Sequence, residues 1–165
     1  MLHQIDQTMI LPALKLLPQV MESDNARIMM LAIGLQESGF RFRTQHFAGP
    51  ARGFWQFERD GGVRGVLKHP ATAIAATKVC DAHSVPPVAQ DVWEALQTDD
   101  VLAAAFARLL LWTDPHVLVE ANPGHVTPES WLCYLRTWRP GKPRPETWDE
   151  NYARAADWVQ RGVDS

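Results

Sequence analysis

Residues 23–40 read Ser-Asp-Asn-Ala-Arg-Ile-Met-Met-Leu-Ala-Ile-Gly-Leu-Gln-Glu-Ser-Gly-Phe. Ile28, Leu31, Ala32 and Leu35 recur at the i, i+3, i+4, i+7 spacing of a helix face, Ser23 or Asp24 stands at an N-cap, and Gly39 can stop the helix after Gln36 or Glu37. The run from Ile28 to Leu35 is apolar throughout, which predicts a mostly buried helix. Glu37 closes it. A carboxyl in that place loses water and faces the negative end of the helix dipole, so both effects push its pKa upward. A general acid working near neutral pH needs that state.

Helical periodicity continues on both sides. Met9 to Met21 reads as a first helix with Pro12 in its opening turn, where a missing N–H is tolerated. Further helices are expected over 71–83, 87–97, 99–113, 128–138 and 145–161, with Thr127 before Pro128 and Gly162 after Arg161 as end signals. Pro140, Gly141, Pro143 and Pro145 make a stiff connector between the last two. Between residues 40 and 65, Gly49, Gly53, Gly61, Gly62, Gly65 and Pro50 interrupt any long element. In this loop-rich region Phe54-Trp55-Gln56-Phe57 forms either a short strand or a tight turn. The expected fold is all-α with at most a small β element, in a single globular domain spanning 1–165.

Composition agrees with one domain. The chain has 165 residues, 46% hydrophobic and 21% charged, enough for a real core. A formal charge of −3 provides no global basic field, which argues against nucleic acid as a partner. No apolar stretch reaches the roughly 20 residues of a spanning helix, so membrane insertion is not expected. The N-terminus lacks the basic start, apolar core and cleavage site of a secretory signal. Cys80 and Cys133 read as free core thiols. His3, His46, His69, His83, His116 and His125 show no metal-ligand spacing, and no cofactor or metal is expected.

Charge is uneven along the chain. From Ser38 to Lys68 there are six basic residues (Arg41, Arg43, Arg52, Arg59, Arg64, Lys68) and two acidic ones (Glu58, Asp60). Phe47, Phe54, Trp55 and Phe57 add flat faces. Aromatic platforms with donor-rich side chains suit an acidic sugar polymer, although the same aromatics can equally plug the core.

Two motifs narrow the field. Glu37-Ser38-Gly39-Phe40, followed sixteen residues after Glu37 by Gly53-Phe54-Trp55-Gln56, resembles the Glu-Ser-x-Phe and Gly-x-x-Gln pair of the lysozyme-like lytic transglycosylases. The resemblance extends over roughly residues 26–143. Residues 100–112 resemble that family's long buried helix. Tyr134 falls where an Ala-Tyr-Asn-Ala-Gly segment is usual, here replaced by Cys133-Tyr134-Leu135-Arg136. The Gly49–Gly53 and Trp138–Pro143 stretches are similar in flavour to phage-encoded cell-wall enzymes.

The resemblance implies cleavage of the β-1,4 bond between N-acetylmuramic acid and N-acetylglucosamine in peptidoglycan, with Glu37 as acid and then base. It implies Gln56 as a neutral partner of the sugar, with Ser38, Trp55 and Tyr134 as further substrate-binding positions. Gln56 can instead only stabilise its turn, Ser38 only cap its helix, and Tyr134 only pack with Trp131 and Trp138. Glu58, a second carboxylate, leaves open a hydrolysing muramidase. The same residues also fit a chitinase-like glycosidase, or a non-catalytic wall-binding or virion structural protein that keeps the cleft without the chemistry. The implied partner is the peptidoglycan glycan strand in the periplasm, reached from a phage particle, through a holin, or by way of a processed precursor.

Overall fold

The computed structural model describes residues 1–44, 49–118 and 126–162. Helix starts earlier than the proline suggests. α1 (Leu2–Ile5), a π turn over Asp6–Ile10 and α2 (Leu11–Lys15) run continuously, and a 3-10 turn over Gln19–Met21 follows Pro18. The expected 9–21 helix is therefore displaced toward the N-terminus, and Pro12 lies well inside it. Its ring would crowd the carbonyl one turn back and its nitrogen has no proton to donate. The widened turn just before it, closed by the Leu11 N–H on the Asp6 carbonyl, opens the ladder where that conflict falls.

α3 (Asp24–Glu37) is capped as its sequence requires, with Ser23 Oγ accepting from the Ala26 N–H at 3.1 Å. Its residues from Ile28 to Gln36 are all buried. Gly34 is needed there: a Cβ on it would sit 2.1 Å from Cζ of Phe40, whose ring folds back across the helix. Gly39 and Phe40 both take positive φ, 60° and 53°, which turns the chain sharply after Ser38.

The glycine-interrupted region contains a small hairpin. β1 (Ala51–Arg52) pairs antiparallel with β2 (Phe57–Glu58), with Ala51 opposite Glu58 and Arg52 opposite Phe57. Phe54-Trp55-Gln56 is thus the turn, and only Phe57 enters a strand. A turn over Arg59–Val63, broken by non-helical backbone at Gly61, leads into α4 (Arg64–Lys68), a short helix that the glycines had hidden.

The later helices fall close to expectation: α5 (Ala73–Ala82), α6 (Ala89–Ala95), α7 (Asp100–Trp112), α8 (Pro128–Trp138) and α9 (Pro145–Arg161). α7 is capped by Asp99, which accepts from the Leu102 N–H. α3 packs most extensively on α9 and also touches α7. Asp6 pins three segments together at 0% exposure, accepting from Arg27 at 2.5 Å and from Trp158 Nε1 at 3.1 Å. The architecture is all-α with a two-stranded β element around one continuous core. No helix among the described residues is long and apolar enough to cross a membrane. Cys80 and Cys133 are free and buried, and burial pushes their thiols up to about 11 and about 12.

Candidate active site

The end of α3, the β hairpin, the end of α8 and the connector to α9 enclose a cleft of about 680 Å³. Glu37 lines it. Tyr134, projecting from α8, donates its hydroxyl to Glu37 Oε1 at 2.7 Å. Burial raises the Glu37 pKa; the Tyr134 hydrogen bond and the charge of Arg144 act against this, the charge of Glu58 acts with it, and the net shift is upward. Burial, reinforced by the neighbouring Glu37 charge, pushes the phenol far above its usual range, so Tyr134 remains a donor.

Tyr134 lines the cleft and is also packed among aromatic rings. Its ring stacks on Trp148 with centroids 4.9 Å apart and lies 5.3 Å from Trp131, which holds the hydroxyl at a fixed place over the carboxyl. Trp138, expected in the same packing, instead reaches across to donate Nε1–H to the Trp55 carbonyl.

Gln56 also lines the cleft, at φ 52°. Both its backbone N–H and its side-chain Nε2 donate to the Gly53 carbonyl, at 3.0 and 2.9 Å, so it does close its own turn. Its Oε1 makes no hydrogen bond among the described residues and is available as an acceptor. Gly53 itself has φ 72°, and a Cβ there would approach the Leu96 carbonyl oxygen to 2.7 Å. The Gly-x-x-Gln spacing is a local backbone requirement before it is anything else.

Ser38 and Trp55 do not line the cleft, which corrects their expected place at the substrate. Ser38 Oγ is buried, donates to the Phe54 carbonyl at 2.7 Å and accepts from the Phe40 N–H at 3.1 Å, so it ties the hairpin turn to the end of α3. Trp55 is fully buried, donates Nε1–H to the Met30 carbonyl and meets Phe40 edge to face. Phe54 is buried in the same cluster, so both rings plug the core. Phe42 at 38% exposure, with Phe57, Tyr134 and Trp138, supplies the apolar surface that faces the cleft. Phe47, His46 and His125 lie outside the described residues. Glu58 is exposed and lines the cleft from β2.

The basic residues expected beside Glu37 are mostly engaged elsewhere. Arg43 makes a two-point contact with Asp100 and covers Phe54. Arg52 lies over Trp93 and donates to the Gly49 carbonyl, while Arg59 and Arg64 share Asp60. The cations of the cleft come instead from Arg136, Arg139, Lys142 and Arg144.

Gln36 is the cleft-lining position that sequence reasoning missed. It is buried beside Glu37, donates Nε2–H to the Arg144 carbonyl at 2.9 Å, and accepts at Oε1 from Thr147 and Asn151. Arg144 returns a bond to the Gln36 carbonyl at 2.8 Å. A lone amide at the end of an apolar helix was the available signal, since a buried amide must find several partners. Among the described residues no group of three His, Cys, Asp or Glu is placed to hold a metal ion. His83 pairs with Asp99, and His116 with Asp114.

No protein-family model, curated protein sequence or solved structure matches the chain.

Proposed function

We propose that the chain cleaves the glycan strands of peptidoglycan as a lytic transglycosylase, with Glu37 as its proton-transfer group. The observation that carries this reading is a half-buried carboxyl, raised in pKa, at the wall of an open cleft and held by one phenolic donor. In its protonated form Glu37 gives its proton to the glycosidic oxygen between muramic acid C1 and the leaving N-acetylglucosamine. The C–O bond breaks, and the substrate's acetamido group stabilises the positive carbon. The resulting Glu37 carboxylate removes the proton of the muramic C6 hydroxyl, whose oxygen closes on C1 to give a 1,6-anhydro end. No water is consumed and the enzyme ends protonated, as it began.

Other residues take supporting roles. Tyr134 stabilises the carboxylate formed midway, Gln56 Oε1 accepts from a sugar hydroxyl or acetamido N–H, and Trp138 and Phe42 offer apolar surface to a pyranose face. The resemblance of the Glu37–Phe40 and Gly53–Gln56 motifs to lysozyme-like lytic transglycosylases supports the same reading.

A hydrolysing muramidase is the second reading, favoured by Glu58, whose charge acts on Glu37 across the shared cleft. There Glu58 would activate water or stabilise the glycosyl cation. Digestion of purified sacculi followed by mass spectrometry separates the two. Anhydromuramic ends support the transglycosylase, reducing ends the hydrolase. Cleavage of chitin oligomers alone would point to a chitinase-like enzyme, and binding to sacculi with no fragments released by the wild-type chain would reject both in favour of a wall-binding protein.

A further inference from the structure

The cations of the cleft are not equivalent. Arg136 is committed to Asp114 at 2.8 Å, and Arg144 donates to the Gln36 carbonyl and acts on Glu37. Arg139 uses only Nε, on the Arg136 carbonyl, and Lys142 has no hydrogen-bond or ion-pair partner among the described residues. Opposing acids do not absorb them. Glu37 is bonded to Tyr134, Asp60 is held by Arg59 and Arg64, and Glu58 stands on the hairpin side.

The backbone brings Arg139 to this place at some cost. It ends α8 in the left-handed conformation, φ 48° and ψ 53°, whereas α9 ends in the same conformation with Gly162. Pro140 disfavours a right-handed helical conformation for the residue before it, so the chain turns out of the helix at Arg139. That turn puts both Arg139 and Lys142 on the cleft wall.

Resting on the peptidoglycan reading, we infer that Arg139 and Lys142 form a carboxylate-binding rim that recognises the acidic substituent of muramic acid. An uncharged polymer of N-acetylglucosamine offers these cations nothing. A muramic residue carries a carboxylate either on its peptide stem or, once the stem is removed, on its own lactyl group. Exposed cations in water contribute discrimination more than affinity, so the rim selects among strands that the rest of the cleft already accepts.

The test is binding by the intact Glu37→Gln chain, which holds strands without cutting them, to peptide-bearing glycan strands, amidase-stripped strands and chitohexaose. The ratio of affinity for the peptidoglycan strands over chitohexaose is expected to fall about tenfold with R139Q/K142Q added, to survive R139K/K142R, and to collapse at high ionic strength. A loss confined to peptide-bearing strands identifies the stem carboxylates, and a loss confined to stripped strands identifies the lactyl group; a loss on both assigns both. An unchanged ratio in R139Q/K142Q, or an equal loss in R139K/K142R, overturns the rim. If the wild-type chain cleaves sacculi while that ratio is unchanged, only the rim fails; if the chain binds none of the three probes, the peptidoglycan reading fails with it.

Discussion

The hydroxyl of Tyr134 donates to Oε1 of Glu37 at 2.7 Å, across 97 residues of chain. It opposes the burial that raises the Glu37 pKa. Removing it in Tyr134→Phe therefore leaves a carboxyl that is harder to ionise. The alkaline limb of kcat/KM against pH is expected to move to higher pH, with kcat reduced about tenfold because the carboxylate formed midway loses its donor. The fold persists, because the ring stack on Trp148 is untouched. An unshifted limb in a pH–rate series would sink this role.

Glu37→Gln is expected to lower the rate of strand cleavage at least about 100-fold, the lower scale for losing a proton-transfer group. Retained cleavage would reject Glu37 as the acid.

The same variant carries a stability prediction with a definite sign. A carboxyl whose folded pKa lies above its unfolded value binds more protons folded than unfolded between the two, so stability falls as pH rises from the ordinary value of 4.5 through the raised one. The neutral amide of Glu37→Gln escapes that loss and can still accept from Tyr134. Its melting temperature at about pH 8 is expected to equal or exceed the wild type's, and to fall less between about pH 4 and about pH 8. Differential scanning calorimetry at both pH values is the check.

Gly34→Ala pits two effects against each other. Alanine is the better helix former by about 1 kcal/mol, but its Cβ would sit 2.1 Å from the Phe40 ring. Overpacking of a closed core costs about 1–3 kcal/mol, so net destabilisation is expected in urea titration. A stabilised variant would mean that Phe40 does not close over the helix.

Gln36→Leu removes the side-chain bonds to the Arg144 carbonyl, Thr147 and Asn151 at once, and leaves only the Arg144 guanidinium on the residue 36 backbone carbonyl. A loss of about 2 kcal/mol is expected from the partners left behind, with a fall in kcat larger than any change in KM, since the connector that carries Arg144 beside Glu37 loses its anchor. Steady-state kinetics on soluble glycan strands separates the two parameters; a pure KM effect would contradict the anchoring role of Gln36.

How much of this was legible in the chain depends on distance along it. Ser23 caps its helix, Gly39 and Gly162 take the left-handed conformation, and the i, i+3, i+4, i+7 pattern places α3, because each of these turns on a few neighbouring residues. Pro12 misled for the opposite reason: the π turn that accommodates it is a cooperative adjustment of the preceding helix, which no single residue announces.

The side chains of the site divide along the same line. That Glu37 closes an apolar helix was legible locally, while its partial burial is completed by α8 and the connector, which bring Tyr134 and Arg144 to it. Whether Trp55 faced a sugar or the Met30 carbonyl, and whether the cleft took its positive charge from residues 41–68 or from 136–144, rested on contacts between segments far apart in the chain. The Gln36–Arg144 clasp spans 108 residues and the Ser38–Phe54 bond spans 16. Helix and turn preferences are short-range energies written residue by residue, whereas the direction a tryptophan or arginine faces is chosen by whichever distant backbone satisfies it at least cost in water.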